Sequence, residues 1–345
     1  MCNFVNLHVH TAYSLLDGMS KPEDVVAKVK RMKQPAVAIT EHGNVYSAVK
    51  MFKLCEENNV KFIYGCEMYI TEDRFVKDPN RKYYHLTVLA KNEQGRRNIN
   101  KLVSLGFLEG FYFKPRIDYK LLEQYKEGLV ILSGCMASHL QRTLANEGYE
   151  KAKEIARWHR NVFGEDYYLE VQSHRDEFQQ KLNRQIVDMA KELGIPWVVT
   201  ADSHYVDEDD YELHSIFIQI GTNREPGETY QDTQLQSEDE ARRLLKPGLT
   251  DEEINVAIRN TLVIMDKCQV RLPISAPLIP HVNVPDGYNS EEEYLQALCK
   301  KGWIERGIHE LPVEQQKVYQ DRLRYEYKAI SEMGFAGYYL LVQSY

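Results

Sequence analysis

Histidine and carboxylate residues occur in pairs that share one face of a predicted strand. His8 and His10 end the first apolar run of the chain, and Asp202 and His204 follow a run that ends near residue 200. Because residues i and i+2 of a strand point to the same side, each pair can bind one metal ion or two adjacent ions. Taken alone, either pair is equally typical of ordinary polar residues at a strand end. The other strand ends therefore decide how these pairs are interpreted.

The same residue types stand at the ends of further predicted strands. Asp17 lies in the loop after the first pair, His42 follows the second strand, Glu67 lies in the third and Cys135 follows the fifth. His85 is an exception, because it stands near the start of its strand. The carboxyl ends of strands in parallel α/β folds form one rim, at which sites assemble. The joint placement predicts a metal site at that rim.

The ligand types indicate which metals and which reaction to expect. Imidazole, carboxylate and one thiolate suit Zn(II), Mn(II) or Fe(II) better than Ca(II) or Mg(II), which prefer oxygen ligands. Nine candidate ligands exceed the four or so that one tetrahedral ion uses, so two or three clustered ions are expected. Such clusters activate water and hold a phosphoryl oxygen during in-line attack. Hydrolysis of a phosphoester is the predicted chemistry.

Strand and helix patterns alternate along the first 200 residues. This alternation predicts a parallel α/β sheet, either doubly wound or closed into a barrel. Helical patterns continue after residue 206, a proline-rich stretch at 272–285 predicts a linker, and Ser290 begins another helix. The predicted strands are residues 4–9, 36–40, 62–70, 84–90, 129–133, 167–172 and 197–200.

Composition excludes several classes of protein. The 345 residues carry 43 Lys and Arg against 51 Asp and Glu, a formal net charge of −8, which disfavours binding nucleic acid over the whole surface. A local basic groove remains compatible with that charge. No apolar run approaches the roughly 18–20 residues that span a bilayer, and the first residues do not resemble a signal peptide. The six cysteines are spread along the chain, which predicts reduced thiols in a cytoplasmic protein without membrane contact.

These motifs resemble the PHP (polymerase and histidinol phosphatase) family. More narrowly, they resemble its branch at the N-terminus of bacterial replicative DNA polymerase III alpha subunits, to which two further stretches, 111–118 and 322–342, are also similar. The resemblance covers essentially the whole chain. The motifs that carry it are His8-Val9-His10-Thr11, Tyr13-Ser14 with Asp17-Gly18, Thr40-Glu41-His42-Gly43, Gly65 with Glu67 and Tyr69, His85-Leu86 with Leu89-Ala90, Leu132-Ser133-Gly134-Cys135 and Asp202-Ser203-His204-Tyr205.

The resemblance implies a distorted seven-stranded β/α barrel with a trinuclear metal centre. It also implies a barrel domain over 1–271 with a helical extension after about 206, a linker over 272–289, and the helical start of a polymerase palm over 290–345. Glu41 stands where the family more commonly has Asp. The implied metal ligands are His8, His10, Asp17, His42, Glu67, His85, Cys135, Asp202 and His204.

The implied activity is a metal-dependent phosphoesterase, most simply a 3′→5′ exonuclease on DNA 3′ ends. The implied partners are the remaining polymerase domains and a proofreading subunit or sliding clamp. The carboxylates that hold the polymerising metals are expected downstream of Tyr345, so no polymerase activity is expected of this chain alone. Two alternatives stay open: a small-molecule phosphatase of the histidinol-phosphatase type, and a non-catalytic scaffold that binds replication partners.

Three further residues are candidates with an equally plausible structural role. Glu170 either acts as a base that contacts the metal ligands without binding the metal itself, or it neutralises an arginine. Lys114 and Arg116 are the candidates for binding substrate phosphate, since arginine suits bidentate phosphate contact. The alternative for both is an ordinary charge in a surface loop.

Overall fold

The computed structural model describes residues 3–80, 83–222, 231–274 and 281–345. The chain divides into two units, Met1–Leu272 and Pro273–Tyr345, and each is described by itself. Among the described residues, no helix is both long enough and apolar enough to cross a membrane.

The first unit is built on one mixed sheet of seven strands. The strand order is β1-β2-β3-β5-β6-β7, and β4 pairs with the second half of β2. Strands β1 and β5 are buried along their whole length, which explains their uninterrupted apolar sequences. The strands are β1 (Ala36–Ile39), β2 (Lys61–Thr71), β3 (Tyr84–Ala90), β4 (Arg116–Asp118), β5 (Leu129–Leu132), β6 (Tyr167–Gln172) and β7 (Trp197–Thr200).

The direction of β3 corrects the expectation of a parallel sheet. This strand runs antiparallel to both β2 and β5, while the pairs β1–β2, β5–β6 and β6–β7 are parallel. A parallel connection usually needs a crossover helix, and the described part of residues 72–83 contains none. The start of β3 therefore lies at the same rim as the ends of the parallel strands. This explains the position of His85, which the sequence left as an exception.

The N-terminal segment joins the two ends of the curled sheet. The sequence predicted a strand over residues 4–9, but in the structure these residues form only isolated bridges. On one side, the amides of Ala38 and Thr40 donate to the carbonyls of Asn6 and Val9. On the other side, the His10 amide donates to the Ser203 carbonyl, just after β7. The expected distorted barrel is confirmed, with this segment in the place of its first strand.

The inner face of the sheet changes from apolar to polar along the strands. Ile63, Leu89 and Val198 belong to one buried apolar cluster, which Ile264 and Cys268 also join. Since alternate residues share a face, the position four residues nearer the rim is polar instead, as at His85, four residues before Leu89 in the antiparallel β3. Glu67 follows Ile63 in this way. The apolar cluster thus forms the floor beneath a polar rim.

Ten helices of the described residues complete the first unit. Several begin at a side-chain cap; for example, Asp176 and Thr250 accept hydrogen bonds from the amides of Gln179 and Glu253. The last three helices form the extension expected after residue 206. The helices are α1 (Pro22–Arg31), α2 (Ala48–Glu57), α3 (Glu93–Leu108), α4 (Tyr119–Gln124), α5 (His139–Asn146), α6 (Tyr149–Phe163), α7 (Glu177–Leu193), α8 (Tyr211–Thr222), α9 (Glu238–Leu245) and α10 (Asp251–Lys267).

The second unit is helical in its described residues. Helix α11 (Glu291–Glu305) begins at Ser290, whose side chain accepts from the Glu293 amide as the sequence predicted. Helices α12 (Val313–Glu332) and α13 (Ala336–Ser344) follow, and a small core of Leu295, Ala336 and Leu340 packs α11 against α13. Within the predicted linker at 272–289, residues 275–280 lie outside the described part of the chain.

Candidate metal centre

The first histidine pair faces two carboxylates, the buried Glu67 and the partly exposed Asp202. His8 Nε2 lies 3.1 Å from Glu67 Oε1 and 3.2 Å from Asp202 Oδ1. His10 Nε2 lies 3.2 Å from the same Asp202 oxygen and 3.6 Å from Glu67 Oε2. Both imidazoles are fully or almost fully buried. His8 and His10 therefore point to the same side, as their spacing predicted, and both contact the same two carboxylates.

Glu67 also contacts the side chains from the neighbouring strands. His42 Nδ1 lies 2.6 Å from Glu67 Oε2, and His85 Nδ1 lies 3.1 Å from Glu67 Oε1. The Cys135 sulfur is 3.6 Å from Glu67 Oε1 and 3.8 Å from His85 Nδ1. Asp17 reaches the group through His42, with 2.9 Å between Asp17 Oδ2 and His42 Nε2. Glu67 thus lies at the centre of the group.

His204 completes the group from the segment after β7. Its ring stacks on His10 with centroids 4.4 Å apart and lies 5.6 Å from the ring of His42. Asp202, two residues earlier, has a φ of +51°, an uncommon conformation for a residue with a side chain. The structure therefore brings all nine predicted ligands together. Asp17, His42, His85, Cys135, Asp202 and His204 line a cavity of about 220 Å³.

Three sets of donor atoms in this group are close enough to hold an ion each. Within each set the donor atoms lie within 4.8 Å of one another, and Glu67 belongs to two sets. The sets are His8 with His10, Glu67 and Asp202; His42 with Glu67 and His85; and His10 with His42 and His204.

Unsatisfied polar atoms provide a test of whether the group fits a cation. Six buried atoms make no hydrogen bond, although several lie within ion-pair distance of one another. Buried polar atoms without a partner are costly, and clusters of them are rare. Divalent cations would satisfy these atoms, so the residues fit the implied metals. The atoms are His8 Nε2, His10 Nε2, Asp17 Oδ1, His42 Nδ1, Glu67 Oε2 and Asp202 Oδ1.

Glu170 fixes the orientation of His8. Its Oε1 atom lies 2.7 Å from His8 Nδ1, and the carboxylate also accepts from the Gly134 amide and the Thr200 hydroxyl. A carboxylate accepts, so His8 donates through Nδ1 and presents the lone pair of Nε2 to the cluster. Of the two roles that the sequence left open, the structure shows contact with His8. No described arginine forms an ion pair with Glu170.

Ser14 and Glu41 hold His10 in the same way, a role that the sequence did not assign to Ser14 although it lies in one of the motifs. The Ser14 hydroxyl lies 2.9 Å from His10 Nδ1 and donates to Glu41 Oε2 at 2.6 Å. Glu41 is fully buried, and it also accepts from the Ser47 hydroxyl and the Thr11 amide. Glu41 therefore points away from the cluster and acts through Ser14. In the sequence, the spacing of four residues from His10 to Ser14 within a short loop is the feature that could have indicated this contact.

Burial and charge act against each other on the ionisable groups. Burial alone would raise the pKa of Glu67, but the charges of His85, His8 and His42 lower that pKa well below its usual value. Burial and the neighbouring His42 and His204 lower the pKa of His10 to about 3. Burial raises the pKa of the Cys135 thiol well above its usual value. Glu67 is therefore ionised and His10 is neutral, the forms in which these two residues bind a metal.

Arg116 does not bind phosphate in this fold, which corrects the prediction from the sequence. Its side chain is buried, and its guanidinium donates to the carbonyls of Gly110, Val76 and Arg74, each at 2.9 Å. These bonds leave the guanidinium no access to a substrate. Lys114 is half-buried, with its Nζ 5.2 Å from the centre of the Tyr69 ring, and it stays a candidate.

Other side chains complete the cavity wall. His214 donates from Nε2 to the Asp17 carbonyl at 2.8 Å. Burial and the nearby His204 lower the pKa of His214 to about 4, so it is neutral near pH 7. Tyr83, Arg142 and His174 also line the cavity. No sequence motif marks these residues, because they reach the cavity from different loops and helices.

Two family descriptions match separate parts of the chain. Residues 6–174 match the PHP domain, and residues 293–345 match the bacterial DNA polymerase III alpha NTPase domain. A solved structure described as a candidate metal-dependent phosphoesterase, from Bifidobacterium adolescentis, is 15% identical, covers 72% of this chain and 97% of its own, and has a TM-score of 0.39.

Curated relatives match along nearly the whole chain. The DNA polymerase III subunit alpha of Treponema pallidum is 37% identical over 99% of this chain, and that of Borreliella burgdorferi is 36% identical over 98%. The chain spans 29% and 30% of the length of these relatives. Residues 6–174 thus match the PHP domain, and nearly the whole chain is similar to a part of bacterial DNA polymerase III alpha subunits.

Proposed function

We propose that the first unit is a metal-dependent phosphoesterase that acts as a 3′→5′ exonuclease on DNA. The observation that carries this proposal is the buried cluster around Glu67, in which six polar atoms lack a hydrogen-bond partner at the side of a cavity. A cluster of this composition supports two or three divalent ions, with Zn(II), Mn(II) and Fe(II) as the candidates.

The residues of the chain would divide the work of the reaction. Bound divalent ions supply Lewis acidity and lower the pKa of a water molecule. Glu67 lies between the histidines and bridges two of the donor sets. Glu170 and Ser14 hold His8 and His10 with Nε2 directed at the cluster. The cavity presents Asp17, Asp202 and His204 to an entering phosphoester.

DNA is the proposed substrate because the relatives that match the chain are DNA polymerase subunits. On the same grounds we propose that residues 290–345 begin the palm of a polymerase. The remaining polymerase domains, and a proofreading subunit or a clamp, are the proposed partners. These proposals concern a longer protein, because the chain spans only 30% of the length of such a relative.

The test combines metal analysis with a nuclease assay on the chain. Purified protein is loaded with Zn(II) or Mn(II), its metal content is measured, and single-stranded DNA labelled at the 5′ end is followed for stepwise shortening from the 3′ end. We expect bound metal and shortening. His10→Ala and Asp202→Ala should lose the activity by at least about 100-fold, since both remove a ligand.

His281→Ala is the matched control, because His281 is almost fully exposed and lies in the second unit. Metal-loaded wild type that leaves the DNA intact would overturn the exonuclease proposal. Turnover of histidinol phosphate in place of DNA would instead support the small-molecule phosphatase. A protein that binds no metal at all would favour the scaffold role.

A further inference from the structure

The described part of the cavity wall beside the metal cluster includes one positively charged side chain. Among the described residues that line it, Arg142 is the single lysine or arginine. The other charged residues there are Asp17 and Asp202. Among the described wall residues, Arg142 is therefore the cationic side chain that a phosphate-containing chain entering this cavity would meet.

Arg142 is held in place without being neutralised. It lies in the first turn of α5, where its amide donates to the Ser138 carbonyl. Its guanidinium carbon lies 5.8 Å from the centre of the Tyr84 ring, and Nη1 makes a long hydrogen bond of 3.4 Å to the Tyr83 carbonyl. Among the described residues, no carboxylate lies within ion-pair distance of Arg142. The guanidinium is thus free to pair with an anion.

The depth of the groups differs within the cavity. Glu67 and His10 at the cluster are buried, whereas the Arg142 side chain is exposed. A phosphate at the cluster would lie deep in the cavity, and a contact to Arg142 would lie nearer the solvent. Two positions for phosphate at different depths fit a nucleic-acid strand better than a phosphomonoester.

We propose that Arg142 binds the backbone phosphate next to the one that is hydrolysed. This inference rests on the proposed exonuclease function and specifies its substrate as a phosphodiester chain of at least two linkages. Arginine suits this contact because its planar guanidinium pairs with two phosphate oxygens. Arg142 takes the role that the sequence assigned to Arg116.

Binding of single-stranded DNA in EDTA tests the contact without hydrolysis. The probe is a fluorescent oligonucleotide, followed by anisotropy with wild type, Arg142→Gln, Arg142→Lys and the control Arg157→Gln. Arg157 is exposed on α6 and does not line the cavity. We expect Arg142→Gln to bind roughly tenfold more weakly and to lower the slope of log K against log salt by about 0.7. Arg142→Lys should keep the slope, and Arg157→Gln should behave as wild type.

A neutral methylphosphonate at the linkage next to the 3′-terminal one identifies the contacted phosphate. This replacement should weaken wild type roughly tenfold and leave Arg142→Gln unchanged. In the nuclease assay, Arg142→Gln should raise KM for the oligonucleotide and leave turnover of bis(p-nitrophenyl) phosphate unaltered, because that ester has no neighbouring phosphate.

Equal binding by wild type and Arg142→Gln, an equal loss in Arg157→Gln, or no saturable binding by wild type would each overturn the inference. A wild type that binds through Arg142 and hydrolyses nothing would instead overturn the exonuclease proposal and leave this contact standing. Urea unfolding of Arg142→Gln should match wild type, since the side chain is exposed and makes no ion pair with a described residue.

Discussion

A histidine that binds a metal uses one ring nitrogen, and the partner of the other nitrogen decides how the ring is held. In this chain that partner is a carboxylate for His8 and a hydroxyl backed by a carboxylate for His10. Removal of the Ser14 hydroxyl would leave His10 Nδ1 buried and without its hydrogen-bond partner.

The first prediction concerns Ser14. Ser14→Ala should weaken metal binding by about 10–100-fold, because His10 loses the hydrogen bond that sets its tautomer and orientation. The measurement is metal affinity by competition with a chromophoric chelator. A ¹⁵N NMR spectrum of the imidazoles should show the change in the His10 tautomer independently of activity.

Ser47→Ala is the matched control for Ser14. Its hydroxyl also donates to Glu41 at 2.6 Å, but it does not contact a ligand histidine. It should therefore leave metal affinity within about threefold of wild type. If both serine variants lost affinity equally, the effect would come from Glu41 and the local fold, and the role assigned to Ser14 would be wrong.

At the scale of elements, one antiparallel strand brings a ligand to the site, and one short strand is linked to the loops around it. Strand β3 enters at the rim, so His85 meets Glu67 although it opens its strand. Strand β4 has only three residues and was not predicted from the sequence. It is held by the Arg116 guanidinium, which links three carbonyls of the surrounding loops. A buried side chain of this kind serves stability.

The second prediction follows for Arg116. Arg116→Gln should destabilise the first unit by about 3 kcal/mol, since the buried guanidinium and its hydrogen bonds to three carbonyls are lost. Urea unfolding measures this loss. Lys114→Gln, two residues away and half-buried, should change stability by less than about 1 kcal/mol. A stable Arg116→Gln protein that had lost DNA binding would restore the phosphate role that the contacts exclude.

At the scale of the whole unit, the cluster connects segments that are far apart in the sequence. His8 comes from the N-terminal segment, Glu67 from β2 and Asp202 from the segment after β7. The same segments close the curled sheet through backbone hydrogen bonds. Ligand binding at the cluster should therefore stabilise the closed sheet as well as the site.

The third prediction is that metal stabilises the fold. Zn(II) at about 100 times its Kd should add about 2.7 kcal/mol and raise the Tm of the unit by roughly 5–10 °C, and EDTA should reverse the shift. Thermal unfolding followed by circular dichroism measures it. Glu67→Gln keeps the side-chain volume but removes the shared carboxylate, so its Tm should respond little. An equal rise in that variant would place the bound metal elsewhere.

The sequence by itself determined the types of chemistry and most of the elements. Same-face pairs such as His8 with His10 are visible because strand geometry has a period of two. Capping patterns predicted helix starts as well; Ser290, for example, begins helix α11 as predicted. The nine candidate ligands could be named because such residue types are rare together at strand ends. These features depend on residues near in sequence, and local rules describe them.

Only the tertiary structure decided which distant residues meet. Strand direction placed His85 at the rim, and burial turned Arg116 from a candidate for phosphate into a structural side chain. Ser14, Glu170 and Arg142 received their roles from contacts with segments far along the chain or from a shared cavity. The physical reason is that burial, charge pairing and strand direction depend on packing over the whole unit, which no local pattern specifies.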